Sequence, residues 1–314
     1  MSGDFQKVAV IGGGLIGASW AALFLAHGLD VTVQDPAEGF ETRVKEAVQS
    51  AWPDLCALGV SDESPPFERL HFAADIAAAC RGAEFVQECG PDRIEVKRVI
   101  LAEIEAVLDP AVVVASSTSA LLASDIQAEA LYPGRVLVGH PFNPPHLIPL
   151  VEIVRGSATS DAAVALAKAF YDRLNREVIL VQKEVIGHIA NRLSAALFRE
   201  AVHLVADGIA SVEDVDRAVS FGPGLRWALM GPHLTYHLGG GAGGYRGYME
   251  HLGPTQVARW AELGAPNLDA ETIAALTAGV DEELAMMDAD TLAEKRDKGL
   301  IGLLALKKEI GLSK

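Results

Sequence analysis

The stretch KVAVIGGGLIGASWAALFLAHG (residues 7–28), followed after Leu29 by DVTVQD (30–35), decides how the first half of the chain is read. KVAVI is a short run rich in β-branched residues, suited to a parallel strand buried on both faces. It leads into Gly12-x-Gly14-x-x-Gly17 and then into an apolar, helix-like segment. Each glycine has its own physical task. Gly12 permits the tight turn, Gly14 lets backbone approach a pyrophosphate, and Gly17 lets helix and strand pack closely. Leu15 and Ile16 lie between the last two glycines, where the free N–H groups and positive dipole end of a helix N-terminus favour phosphate. Asp35 closes the second strand-like run eighteen residues after Gly17, and a carboxylate there accepts hydrogen bonds from an adenosine ribose. Glycines alone mark many tight turns; strand, glycines, helix, strand and terminal acid in this order specify a dinucleotide site. The charge of Asp35 repels a 2′-phosphate and no arginine lies within several residues of it, so the expected cofactor is NAD rather than NADP.

Residues 8–26 carry no charge over nineteen positions, near the length of a membrane span. Four glycines interrupt the run, and Asp4 stands where a signal peptide carries basic residues. A strand, a tight turn and a buried helix account for it better. Further strand-like runs follow at AEFVQEC (83–89), AVVVASS (111–117), RVLVGH (135–140), LVEIV (150–154) and EVILV (177–181). Helix-like stretches at 93–108 and 161–174 separate several of them. The alternation predicts an α/β fold, a Rossmann-type doubly wound and mostly parallel sheet, with ligand-binding residues at the strand ends. Ser119 and His140 stand just beyond or at the end of such runs. From GHIANRLSAALFREAVHLVADGIA (187–210) onward the spacing is helical, with VEDVDRAVSF and LDAETIAALTAGVDEEL as further helices. The expected domains are therefore an NAD-binding domain over 1–185 and a smaller all-α domain over 186–314. The glycine patch GGGAGG (239–244) reads as a mobile or tightly turning loop rather than a ligand site.

At 314 residues the chain has room for two domains with a sizeable core. Half of the residues are apolar and 22% charged, ordinary for a folded globular protein. The net charge of −16 argues against nucleic acid and anionic membranes as partners. Three cysteines, Cys56, Cys80 and Cys89, are an odd number without metal-ligand spacing, which points to a reduced, cytoplasmic protein without a metal.

The chemistry centres on HPFNPPHLIPLVEI (140–153). Histidine titrates near neutrality and suits the removal of a proton from an alcohol as hydride departs. A carboxylate beside it, here Glu152, fixes its tautomer and stabilises the imidazolium. Alone, one His and one Glu at this spacing are bland, since the chain has nine histidines.

ASSTSALLASDI (115–126), HPFNPPHLIPLVEI and GHIANRL (187–193), in this order after the dinucleotide fingerprint, resemble the L-3-hydroxyacyl-CoA dehydrogenase family over nearly the whole chain. The resemblance implies that His140 is the catalytic base and that Glu152 orients it. It implies that Ser119 and Asn191 hold the reacting oxygen, that Asp92, Lys97 and Asn143 lie near the nicotinamide end of NAD, and that the helical domain forms a homodimer. Two departures stand out. The family usually has proline, glycine and phenylalanine before the asparagine motif, where this chain has Ile186, Gly187 and His188. CoA-using relatives also carry a basic segment after the second strand. Residues 37–70 here hold Glu38, Glu41, Glu46, Asp54, Asp62, Glu63 and Glu68 against Arg43, Lys45 and Arg69, a poor surface for a polyphosphate.

GLRWALMGPHLTYHL (224–238), GGGAGGYRGYME (239–250) and the tail RDKGLIGLLALKK resemble instead a free-acid branch of the family, whose members act on carnitine or L-gulonate. The implied activity is NAD-dependent oxidation of the 3-hydroxyl of a small free 3-hydroxy acid, carnitine first, L-gulonate second and a 3-hydroxyacyl-CoA third. Arg226 then suits the substrate carboxylate, because a guanidinium pairs with carboxylates through two bonds; an interdomain salt bridge is the equal alternative. Trp227, Tyr236, Tyr245 and Tyr248 offer aromatic faces for a quaternary ammonium, although core packing is the ordinary fate of any one of them. The alternative of another class is a non-catalytic NAD-binding protein, since a lens crystallin also resembles this family. Loss of His140 or Glu152 would favour it, and both are present.

Overall fold

A computed structural model describes residues 5–61, 64–285 and 287–313. Asp4, and Asp62 and Glu63 of the acidic segment, lie outside the described residues. The chain divides into two compact units, Met1–Arg192 and Leu193–Lys314.

The first unit is built on one eight-stranded sheet. Its strands are β1 (Lys7–Ile11), β2 (Asp30–Gln34), β3 (Leu70–Phe72), β4 (Phe85–Glu88), β5 (Val113–Ser116), β6 (Val136–Pro141), β7 (Leu150–Arg155) and β8 (Glu177–Val181), in the order β3-β2-β1-β4-β5-β6-β7-β8. Neighbouring strands run parallel except β6 and β7. The strand order reverses between β1 and β4, and the crevice beyond the strand ends at such a reversal is where open α/β sheets bind ligands. β3 is the strand that the sequence pattern does not reveal: LHF is three residues on the sheet edge, too short to show alternation.

The uncharged run of residues 8–26 becomes β1, a turn and α1 (Leu15–Ala26). Residues Gly17 to Leu25 of α1 are all buried, which is why the helix has no polar face: a helix apolar all round is one enclosed on all sides. It is covered by the sheet and by α2 (Phe40–Ala57), whose Val44, Val48, Trp52 and Leu55 join Trp20 and Phe24 in one core. α6 (Asp161–Arg173) adds Phe170 and Tyr171 to that side, with Phe170 stacked on Phe85 at 3.9 Å. On the opposite face α3 (Ile76–Cys80), α4 (Ile94–Glu105) and α5 (Ala123–Gln127) cover Ile11, Val86 and Val114. No helix of the described residues is long and apolar enough to cross a membrane.

The second unit is helical. α7 (Ala190–Ala206), whose first three residues belong to the first unit, leads into α8 (Val212–Phe221), α9 (Pro223–Trp227), α10 (Pro232–Gly239), α11 (Gly244–Glu262), α12 (Ala270–Leu284) and α13 (Ala289–Glu309). Its hydrophobic interior is thin: Val202, Val215 and Tyr248 are the buried hydrophobic side chains among its described residues. Leu193, Leu197 and Phe198, along one stripe of α7, stay 40–59% exposed.

Candidate active site

The turn between β1 and α1 has the shape a dinucleotide requires. Gly12 has φ of +103°, and a Cβ there would stand 2.6 Å from the Cys89 carbonyl oxygen. A Cβ on Gly17 would lie 1.8 Å from the Gly12 carbonyl oxygen, so helix and strand meet through that glycine. Gly14 meets nothing within 4 Å and begins α1 without a side-chain cap. The first N–H groups of the helix thus keep their hydrogen-bonding capacity for an anion. Leu15 is 73% exposed beside it. Asp35 follows β2 directly; its Oδ2 accepts from Gly13 N and its Oδ1 from Ala37 N, both at 2.8 Å. Two backbone donors therefore aim the carboxylate while leaving lone pairs for ribose hydroxyls. The next cation in sequence, Arg43, folds back to donate to the Glu38 carbonyl at 2.8 Å. These residues fit NAD.

The β4–α4 turn is locked by a buried ion pair. Glu88 ends β4, and Lys97 on α4 is 1% exposed. Lys97 Nζ donates to Glu88 Oε1 at 3.0 Å, to Oε2 at 2.8 Å and to the Gly90 carbonyl at 2.9 Å. Its three protons are spent there, so Lys97 braces the turn and is not on the cleft wall. The turn presents Asp92, whose Oδ2 accepts from Ser119 Oγ at 3.2 Å and Ser119 N at 3.3 Å.

His140 and Glu152 meet because β6 and β7 form an antiparallel pair in which they are direct partners. Residues opposite each other share one sheet face with Cβ atoms roughly 5 Å apart, so a spacing of twelve residues becomes a contact. His140 Nδ1 lies 2.8 Å from Glu152 Oε2. Glu152 Oε1 accepts from Ile189 N at 2.9 Å and Ala190 N at 3.1 Å, at the start of α7. Burial pushes the Glu152 carboxyl up, but the bonds from His140 and the two backbone N–H groups outweigh it and hold the group below the ordinary carboxylate range. An ionised Glu152 makes Nδ1 the donor. Neutral His140 then carries its lone pair on Nε2.

A cleft of about 430 Å³ within the first unit is lined by His140, Ser119, Asn191, Asn143, Asp92 and Ile16. Six residues singled out in the sequence therefore border one cleft. Cys89 lines the same cleft although no motif in the sequence singles it out for the site; its place one residue beyond β4, at the carboxyl edge of the sheet, is the signal that points to it. Burial pushes the Cys89 thiol up to about 12, so it stands as a protonated thiol. His188, noted as a departure, is buried with its ring centroid 4.9 Å from that of His140.

Arg226 and the four aromatic residues belong to the second unit. Arg226 is exposed on α9. Tyr236 and Tyr248 stack on each other at 4.6 Å, with Tyr248 buried. Tyr245 pairs through its hydroxyl with His233 Nδ1 at 3.0 Å. Trp227 is 41% exposed. The glycine patch forms a short 3₁₀ turn at Gly241–Gly243 between α10 and α11.

A doubly wound sheet with an NAD cradle, and a carboxylate-backed histidine at the same strand ends, defines an NAD-dependent oxidoreductase acting on a CH–OH group. Family comparison agrees. Residues 7–185 match the 3-hydroxyacyl-CoA dehydrogenase NAD binding domain, and residues 187–268 match the 3-hydroxyacyl-CoA dehydrogenase C-terminal domain. The chain belongs to the 3-hydroxyacyl-CoA dehydrogenase family. It is 46% identical over 308 residues to the L-carnitine dehydrogenase of Streptomyces coelicolor, covering 98% of this chain and 96% of that one. It is 42% identical over 303 residues to the L-carnitine dehydrogenase of Bacillus cereus, covering 96% and 93% of the two chains. Among solved structures, 5-formyl-3-hydroxy-2-methylpyridine 4-carboxylic acid 5-dehydrogenase, an NAD+-dependent dismutase, superposes with a TM-score of 0.82 at 27% identity, covering 97% and 99%.

Proposed function

We propose that this protein oxidises the 3-hydroxyl of a small free acid to the ketone, with L-carnitine as the substrate. The observation that carries the reading is His140, backed by a Glu152 that α7 itself grips, facing the same cleft as Ser119 and Asn191. His140 Nε2 takes the hydroxyl proton, and the charge formed on the imidazole is balanced by Glu152. Ser119 Oγ and Asn191 hold the reacting oxygen and set the alcohol's orientation. Asn143 and Asp92 bound the nicotinamide end of the cleft, with Lys97 steadying Asp92 through the turn. Gly12, Gly14, Leu15, Ile16, Gly17 and Asp35 hold the remainder of the cofactor. NAD, when bound, supplies the hydride acceptor.

L-carnitine leads because relatives of that name match at 46% and 42% identity over nearly whole chains. A structural relative whose named substrate is a carboxylic acid points to the free-acid class as well. Arg226 is the guanidinium assigned to the carboxylate. Residues 186–314 form the substrate and dimerisation domain of a homodimer. The thiols of Cys80 and Cys89, neither of them in a disulfide, suit a reducing cytoplasm.

The test follows NADH absorbance with L-carnitine, L-gulonate and 3-hydroxybutyryl-CoA. The expected order of kcat/KM places L-carnitine first by at least about tenfold, a discrimination of about 1.4 kcal/mol. A higher value for either of the other two overturns the substrate assignment.

A further inference from the structure

His188 stands beside the reacting residues and has no part in the chemistry described so far. Its side chain is 1% exposed, and its Nε2 lies 3.0 Å from the Thr118 carbonyl oxygen. A carbonyl only accepts, so Nε2 carries the ring proton and Nδ1 is bare. Nδ1 is buried and has no hydrogen-bond partner among the described residues. Burial holds the His188 pKa below the ordinary histidine value; His140 adds to that, while the Thr118 bond, Glu152 and Asp92 oppose it. The ring is therefore neutral near pH 7 and gives His140 a second imidazole as neighbour without a second positive charge. The titratable groups facing it are His140 on β6, Glu152 on β7 and Asp92 on the β4–α4 turn.

The local backbone is made for this placement. Gly187 has φ of +78° and His188 φ of +50°, and His188 N donates to the Val185 carbonyl at 3.0 Å. Histidine is one of the few non-glycine residues found with some frequency in the left-handed region. The turn throws the side chain toward Thr118 immediately before α7 begins. Thr118 precedes Ser119, and the two residues after His188 supply the N–H groups that hold Glu152. Asn191 follows them in the first turn of α7. One hydrogen bond thus ties the loop carrying Ser119 to the helix start carrying Asn191. A phenylalanine, usual at this place in the family, has a ring to pack beside His140 but no N–H for Thr118.

We infer that His188 is a positioning residue that sets the separation of Ser119 and Asn191 around His140 by donating its Nε2–H to the Thr118 carbonyl. The inference rests on the assignment of Ser119 and Asn191 to the reacting oxygen. Its mechanism is alignment: displacement of an orienting group by about 1 Å costs on the order of a hundredfold in rate.

The experiment compares His188→Phe, His188→Gln and His140→Asn in the full-length protein with L-carnitine. Glutamine places an amide N–H about where the imidazole Nε2–H lies, whereas phenylalanine keeps the ring and removes the donor. His188→Phe is expected to lower kcat by about tenfold or more and to raise KM for L-carnitine. NADH affinity, read by fluorescence, stays within about twofold because the cradle at Gly12–Gly17 is separate from Thr118. His188→Gln restores kcat to within about threefold of the parent. Parental kcat and KM in His188→Phe, or equal impairment of a folded His188→Gln, overturns the inference. Should His188→Phe not fold, ¹⁵N imidazole spectra of the parent protein decide: a neutral Nε2–H tautomer for His188 at pH 7 is expected, and an Nδ1–H tautomer or a protonated ring overturns it. Turnover that survives in His140→Asn marks failure of the underlying site assignment instead.

Discussion

At the scale of single residues, charge and burial make separate predictions for His140, Arg226 and His27. His140→Ala removes the group placed to accept the hydroxyl proton, so turnover is expected to vanish while NAD binding persists. Glu152→Gln keeps the shape but frees the imidazole to adopt the wrong tautomer, lowering kcat on the order of a hundredfold. Near-parental rates in either variant refute the pair. Arg226→Met tests the carboxylate assignment. The carboxylate keeps its charge through hydride transfer, so substrate and transition state weaken together, and KM rises more than kcat falls. A loss of about 2–5 kcal/mol in kcat/KM is expected, and an unchanged KM for L-carnitine removes Arg226 from the site. His27, at the end of α1, has its pKa lowered to about 4 from 6.5, first by burial and then by Arg176 and Arg173. Above pH 6.5 the ring is neutral whether folded or not; as the pH falls from 6.5 toward 4, only the unfolded chain takes up the proton. Folding stability contributed by that difference is lost over this window, up to about 3 kcal/mol. Denaturant melts of His27→Gln should show a shallower loss between pH 6.5 and 4 than the parent, and parallel curves exclude this account.

At the scale of elements, the turn after β4 is the informative one. Glu88 sits 4% exposed and is balanced by Lys97, Ser116 Oγ and Gly90 N. Lys97→Met leaves a buried carboxylate without its cation, which costs about 3–5 kcal/mol. The same change loosens Gly90 and Asp92, so KM for NAD should rise along with the lost stability. Chemical denaturation and cofactor titration measure the two effects; a variant as stable as the parent refutes the bracing role. The β6–β7 pair shows the opposite economy. Its register is set by packing on both faces: Val151 and Ile153 are buried in the core on one side of the sheet and Val138 and Val154 in the cluster on the other, so a slip of one residue would exchange the two sets between differently shaped surroundings. Packing and the antiparallel ladder therefore bring His140 opposite Glu152, and the 2.8 Å bond between them adds to the same register.

At the scale of the whole molecule, the contrast is between a dense first unit and a sparse second one. Trp20, Phe24, Phe85 and Phe170 are each fully enclosed in the sheet core. In the helical unit Phe198, Trp260 and Leu193 remain 59–63% exposed, and α12 and α13 have no buried residue. Apolar surface on that scale is characteristic of an interface. The homodimer assigned to this domain should bury more than about 2,000 Å², in the range of obligate interfaces, and its melting temperature should rise with protein concentration. Sedimentation equilibrium at micromolar concentration measures it, and a stable monomer rules it out.

Sequence by itself determined the elements that local rules dictate. Gly12, Gly14, Gly17 and Asp35 were legible because backbone conformation, close approach and charge each restrict a single position to few residue types. Parallel strands were legible from buried β-branched runs, and the helical unit from its spacing, whereas the three residues of β3 carried too little pattern. Only the tertiary structure decided what depends on register and burial. It made Glu152 a cross-strand partner of His140 and brought Ile189 N and Ala190 N to its other oxygen. It turned Lys97 away from the cleft to neutralise Glu88, and set His188 against His140. Those contacts join segments up to about seventy positions apart, such as His188 and Thr118. No local propensity encodes such distances; the packing of β-strands and helix termini around one core does.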